Sequence, residues 1–235
     1  MRPWVLLRQA GIPFEEVQLK FDDAARAKGV EAYSPTRLVP VLLVAGAALS
    51  SAGAASVSGV TSPKGAPVPP FDGVPVWDTL AICETVAEMF PQKGLWPADA
   101  GARQVARSIC AEMHSGFRNL RESMPMNIRA SHPGKGMNPA TRKDIDRVVS
   151  IWQSCRERFG QGGEMLFGHF TVADAFYAPV VSRFQTYAVE LPKAAQAYAS
   201  AVLRLPAVQE WVAAAREETE FVAADEPYAA VRRKE

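Results

Sequence analysis

The sequence predicts a small α/β part followed by an all-helical part, and three observations carry that expectation. Short apolar runs with strand character, Val39-Pro40-Val41-Leu42-Leu43-Val44 and Val74-Pro75-Val76-Trp77, are confined to the first part of the chain. Beyond residue 97 the strand pattern vanishes, and apolar residues recur at three- and four-residue steps, the period of one helix face. Residues 91–97, opened and closed by prolines, read as a linker between the two.

In chain order, Arg2 to Gln9 reads as a helix closed at Gly11, a residue suited to a helix C-terminus. After Pro13, Phe14-Glu15-Glu16-Val17-Gln18-Leu19 alternates apolar with polar, the period of a strand. Residues 24–32 form a weaker helical stretch, and Ser34-Pro35-Thr36 is turn chemistry. The strand 39–44 carries Pro40 near its start, where a missing N–H is tolerated. Residues 45–70, rich in Ala, Ser, Gly and Pro, read as a flexible insertion. Val74 to Trp77 is a further strand, and Asp78-Thr79 opens a helix over 80–89.

In the second part, Ile109, Cys110, Met113, Phe117, Leu120 and Met124 mark one face of a single long helix. Residues 131–139 are a Gly/Pro loop. Ile145, Val148, Val149, Ile151, Trp152 and Cys155 mark the next helix, ended near Gly160. Gly162, Gly163 and Gly168 punctuate a turn. Further helices are expected from Val172 toward Ala188, from Lys193, and through Trp211 to Glu217. The expected domains are 1–90, with the insertion at 45–70, and 98–235.

The composition excludes several classes. A chain of 235 residues with 48% hydrophobic and 22% charged residues can bury a core, so general disorder is excluded. Lys and Arg number 26 against 25 Asp and Glu, a net charge of +1, which offers no basic excess for phosphates and argues against a nucleic-acid partner. Cys83, Cys110 and Cys155 are too few and too scattered for a disulfide framework or a zinc site, and read as reduced core thiols with no metal. The N-terminal apolar run is short and interrupted by Arg8, unlike a signal peptide. Residues 38–63 carry no charge, but Pro40, Pro63 and the serines at 50, 51, 56 and 58, with several glycines, argue against a membrane span.

Several constellations have a structural and a functional reading. Val39-Pro40 is either a plain proline opening a strand or a cis bond, which X-Pro bonds alone adopt commonly, turning the backbone groups of Val39 toward an extended ligand. Asp78-Thr79 is either a simple N-cap or a site for an α-amino acid moiety. In the second case a hydroxyl, an N–H and the helix dipole suit a carboxylate, and the Asp suits an ammonium. Thr171 with Asp174 forms a short variant of a capping box, structural on either reading. His114, Arg118 and Arg121, at steps of four and three, form either a solvated helix face or the polar wall of a cleft. His132 and His169, in Gly-rich loops, read as surface residues. No dinucleotide fingerprint, phosphate loop or Ser-His-Asp signature is present.

Taken together these pieces resemble the glutathione S-transferase superfamily, near its bacterial zeta-like branch. The matching runs are Arg2-Pro-Trp-Val-Leu-Leu, Gly11-Ile-Pro-Phe-Glu-Glu, Ser34-Pro-Thr-Arg-Leu-Val-Pro-Val-Leu, Val76-Trp-Asp-Thr-Leu-Ala-Ile-Cys-Glu and Phe170-Thr-Val-Ala-Asp-Ala. Met124-Pro-Met-Asn-Ile-Arg resembles a run typical of one subgroup. The resemblance implies a thioredoxin-like N-terminal domain, an all-α C-terminal domain and glutathione as co-substrate bound between them. It implies that Pro40 is cis, that Val39 offers backbone bonds to the cysteinyl part of glutathione, and that Asp78 and Thr79 hold its γ-glutamyl group. Met113, His114, Phe117 and Arg118 are expected on the electrophile side. The family's first strand, with its activating Ser or Cys, is expected upstream of Met1, so no catalytic residue is assigned within the chain. The implied protein is a cytoplasmic homodimer adding glutathione thiolate to a small electrophile, or using it for cis–trans isomerisation. The alternative is a non-catalytic glutathione transferase-like binding or interaction protein.

Overall fold

The structure, a computed structural model, describes residues 1–18, 34, 36–44 and 73–229. The chain divides into two compact units, Leu6–Leu95 and Met1–Val5 with Trp96–Glu235. The sequence expectations at 24–32 and 45–70 lie outside the described residues.

In the α/β unit, helix α1 (Arg2–Gln9), whose first residues cluster with the other unit, ends at Gly11 with φ of 62°, a left-handed conformation that glycine adopts without strain. The strand expected at 14–19 is not formed: residues 14–18 show one bridge position, at Phe14, and Leu19 lies outside the described residues. Strands β1 (Val41–Val44) and β2 (Val74–Trp77) pair antiparallel, with Val41 opposite Trp77 and Val44 opposite Val74. β1 thus starts two residues later than the apolar run suggested. Helix α2 (Thr79–Met89) packs on both strands, and Leu6, Leu7, Leu42, Leu43, Val44, Ile82, Cys83 and Val86 form the buried core of this unit. The expected linker is structured, with a 3₁₀ turn at Pro91–Lys93 and Leu95 buried.

The helical unit holds α3 (Ala100–Ser115), α4 (Arg118–Ser123), α5 (Pro139–Phe159), α6 (Val172–Thr186), α7 (Lys193–Leu203) and α8 (Pro206–Glu217). α6 is the central element: all of its residues are buried except Arg183 and Gln185. A helix apolar on every side must be surrounded, and α3 and α7 pack against it, while α5 packs against α4 and α7. Trp152 on α5 is fully buried, with Tyr177, Phe184 and Tyr198 around its ring at centroid distances of 5.9, 5.5 and 4.9 Å.

The expected single helix through 109–124 is two helices. Gly116 closes α3, its N–H donating to the Glu112 carbonyl at 2.8 Å, and Phe117 takes a φ of 58°. A Cβ at Gly116 would meet that carbonyl oxygen at 2.7 Å, so the helix end requires glycine here. The apolar spacing runs through the bend because Met113, Phe117, Leu120 and Met124 are all buried on both sides of it.

The Thr171–Asp174 capping box is formed, and Asp174 is fully buried. Its Oδ1 accepts from the Leu166 N–H and the Tyr198 hydroxyl, both at 3.1 Å. Its Oδ2 accepts from the Thr171 N–H at 2.8 Å and the Thr171 hydroxyl at 3.2 Å. Burial pushes this carboxyl up to about 6, against the downward pull of those four donors.

Candidate functional site

The register of the two strands places Val39-Pro40 and Asp78 at the same end of the ladder, since Val41 stands opposite Trp77. The Val39–Pro40 bond is cis. The turn before it is built by Ser34, a buried hydroxyl. The Ser34 carbonyl accepts from the Arg37 N–H at 3.1 Å, and its Oγ from the Leu38 N–H at 3.2 Å. Leu38 and Val39 are 61% and 57% exposed, so this apolar edge is open rather than packed inside its own unit.

Asp78 is the N-cap of α2, its Oδ1 accepting from the Leu80 N–H at 2.8 Å. The structural reading of Asp78 is therefore met in full. Its φ of 73° is unusual for a residue with a side chain and is the kind of local strain that concentrates at functional positions. The carboxylate is exposed at the positive end of the helix. Thr79, the first residue of α2, is buried at 9% exposure, directly behind it. Val39, Pro40, Asp78 and Thr79 thus share one end of one small unit.

The other predicted site residues lie on the bend between α3 and α4. Met113 and Phe117 are buried, His114 is half-buried in the last turn of α3, and Arg118 is exposed. Arg118 donates from Nε to Glu122 Oε1 at 2.6 Å, an i,i+4 pair on the solvent side that raises the affinity of the guanidinium for its proton. Arg121, expected beside His114 and Arg118 on one flank, instead turns back: its Nη2 donates to the carbonyls of Met113 and, at 3.1 Å, His114. The break at Gly116 removes the flank that a continuous helix would have made. Gly116 in the middle of a periodic run was the sequence feature that marked it.

His132 is half-buried rather than on the surface. Its ring lies 5.9 Å from that of Tyr187 and 5.7 Å from that of Tyr228. His169 is exposed, as expected. The three cysteines are buried and none is in a disulfide among the described residues, and burial pushes the Cys155 thiol up to about 11. Among the described residues no group of His, Cys, Asp and Glu is arranged to hold a metal ion, and no helix is long and apolar enough to cross a membrane.

Two family profiles match the chain. The glutathione S-transferase N-terminal domain covers residues 1–89, and the glutathione S-transferase C-terminal domain covers 138–214. The chain belongs to the glutathione S-transferase superfamily and has its fold, a thioredoxin-like domain followed by a helical one. Among solved structures it is similar to a glutathione transferase homolog from Burkholderia gl BGR1 with bound glutathione. The two are 20% identical, with a TM-score of 0.60 over 92% of this chain and 91% of that one. It is also similar to holo maleyl pyruvate isomerase, described as a bacterial zeta-class glutathione S-transferase, at 21% identity and a TM-score of 0.61 over 93% and 94% of the two chains. A homolog from Lodderomyces elongisporus with two glutathione molecules per subunit is 16% identical, with a TM-score of 0.59 over 91% and 92%. No curated protein sequence matches the chain.

Proposed function

We propose that this chain binds glutathione and directs its thiolate against a small electrophile, by addition or by cis–trans isomerisation of the zeta-class kind. What carries the reading is Asp78: an exposed carboxylate at a helix N-terminus, in a strained backbone conformation, beside the end of the ladder where Val39-Pro40 enters. In the proposed complex the Asp78 carboxylate takes the ammonium of the γ-glutamyl group. The α2 N-terminus, with the Thr79 hydroxyl, takes its carboxylate. Val39 supplies backbone bonds next to Pro40. The bound thiol, with an ordinary pKa of roughly 8.5, reacts as its thiolate. The thiol gives its proton to solvent and the thiolate forms a new S–C bond. The displaced electron pair leaves with a leaving group in substitution or, in addition, stays on the acceptor, which takes a proton from solvent. In isomerisation it re-forms the double bond after rotation as the S–C bond breaks again. Met113, His114, Phe117 and Arg118 are the proposed electrophile side.

The reading extends to a zeta-like, cytoplasmic homodimer in which 1–90 is the glutathione-binding domain and 98–235 the helical one. The bound glutathione of the Burkholderia homolog and the zeta class of the isomerase support it. Calorimetry with glutathione, followed by turnover with a panel of haloaromatic and maleyl electrophiles, tests it. Saturable binding with turnover is expected. Binding without turnover of any electrophile favours the non-catalytic alternative, and absence of binding overturns the reading.

A further inference from the structure

We propose that Arg121 is a positioning residue that locks the bend between α3 and α4, and thereby sets where His114, Phe117 and Arg118 stand on the electrophile side. The inference rests on the glutathione reading for its ligand arm and on the fold alone for its structural arm.

The bend is made of Gly116 and of Phe117 at a φ of 58°. A side-chain-bearing residue in the left-handed region is strained and persists only where its surroundings fix it. At the end of α3 the last carbonyls have no partner within the helix. The Glu112 carbonyl takes the Gly116 N–H. The next two, of Met113 and His114, are both taken by Nη2 of Arg121, reaching back from α4. α4 is fixed to α5 separately, by Asp144 Oδ2 accepting from the Leu120 N–H at 2.9 Å. Arg121 is therefore the side chain that closes α4 onto α3, while Asp144 closes it onto α5.

The position is a costly one for a cation. Arg121 is half-buried and burial lowers its pKa. Its Nε is buried with no hydrogen-bond acceptor among the described residues. It also adds, after Arg2, to the like charges pressing on Arg183, whose pKa burial brings down to about 10. An apolar side chain would avoid the desolvation and the repulsion. Only a donor on a long stem reaches two carbonyls at a helix end, where the dipole favours positive charge. The cost is borne where the chain changes direction beside the four proposed substrate-side residues.

The test uses the full chain as wild type, Arg121→Met and Arg121→Lys. Glutathione and S-hexylglutathione affinities are measured by calorimetry, and amide hydrogen exchange is followed across the helical unit. The wild type is expected to bind S-hexylglutathione more tightly than glutathione. Arg121→Met is expected to leave glutathione affinity within about twofold, to shrink the hexyl advantage by about tenfold, and to speed exchange at residues 114–118 but not in α6. Arg121→Lys, which retains a cationic donor, is expected to recover most of both effects. Where the wild type binds glutathione, the proposal is overturned if it gains nothing from the hexyl arm, or if Arg121→Met keeps the ratio or weakens both ligands equally. Exchange that rises throughout the unit overturns it as well. If the wild type binds neither ligand the glutathione reading fails by itself. Exchange confined to 114–118 in Arg121→Met then still supports the clamp, and its absence refutes it.

Discussion

Asp174→Asn is the perturbation that most sharply separates burial from hydrogen bonding in this fold. The Asp174 carboxyl is fully buried and raised from an ordinary value of 3.8 to about 6. The folded state therefore holds the proton more tightly than the unfolded chain does. Below about pH 4 both states are protonated and the group contributes no pH dependence. Between 4 and 6 the unfolded chain has released its proton while the folded one has not, so stability falls as pH rises. Above 6 the loss is complete. At about 1.4 kcal/mol for each tenfold change in proton affinity, the rise from 3.8 to about 6 makes it about 3 kcal/mol. The Asn variant cannot ionise and lacks this term. Its amide sets a donor against the Thr171 N–H and hydroxyl that face Oδ2, a pH-independent cost of about 1–3 kcal/mol. Urea unfolding of both proteins from pH 4 to 7 isolates the term, because the constant cost cancels in the change with pH. Asp174→Asn is expected to be more destabilising at pH 4 than at pH 7, by about 3 kcal/mol. A difference that stays flat, or grows toward pH 7, would refute the reasoning. It would mean that the four donors outweigh burial and hold the carboxylate ionised.

Two further substitutions probe local structure. Thr171→Ala removes the hydroxyl that accepts from the Ala173 N–H and donates to Asp174, and is expected to cost about 0.5–2 kcal/mol or somewhat more in urea unfolding, with glutathione affinity unchanged. Gly163→Ala would set a Cβ 2.0 Å from the Gly168 carbonyl oxygen, so the 160–168 turn must shift; a loss of about 2–4 kcal/mol in thermal or urea unfolding is expected, and a neutral result would mean the turn yields freely.

The helices of the second unit were readable from the sequence because local signals agreed. The apolar steps from Ile145 to Cys155 match one face of α5, Gly160 ends it, and Thr171 and Asp174 begin α6. The bend at Gly116–Phe117 was not readable from periodicity. Steps of four, three and four from Met113 to Met124 satisfy a straight helix, and the turn leaves each of those side chains facing the core. The recoil of Arg121 onto α3 followed from that bend and was hidden with it. His132 was misplaced for a different reason. Its Gly-rich neighbours suggest the surface, while the rings that cover it, Tyr187 and Tyr228, come from distant parts of the chain. At the site, Asp78 was legible as a cap from its position after a strand, but its left-handed backbone was not. Local sequence left the Val39–Pro40 bond open; only the family resemblance implied its cis form.

The claim at the centre of this account is that Asp78 serves a ligand as well as a helix. Asn caps a helix as well as Asp does, so Asp78→Asn keeps the bond to the Leu80 N–H and removes only the charge. Glutathione titrated calorimetrically into the wild type and this variant, with urea midpoints for both, tests the claim directly. The account predicts saturable binding by the wild type, a loss of at least about tenfold in Asp78→Asn, and urea midpoints that agree closely, since a hydrogen bond to a charged group is worth about 1.5–3 kcal/mol in the complex. Wild-type protein that does not bind glutathione, or a variant that binds it equally well, would contradict the account.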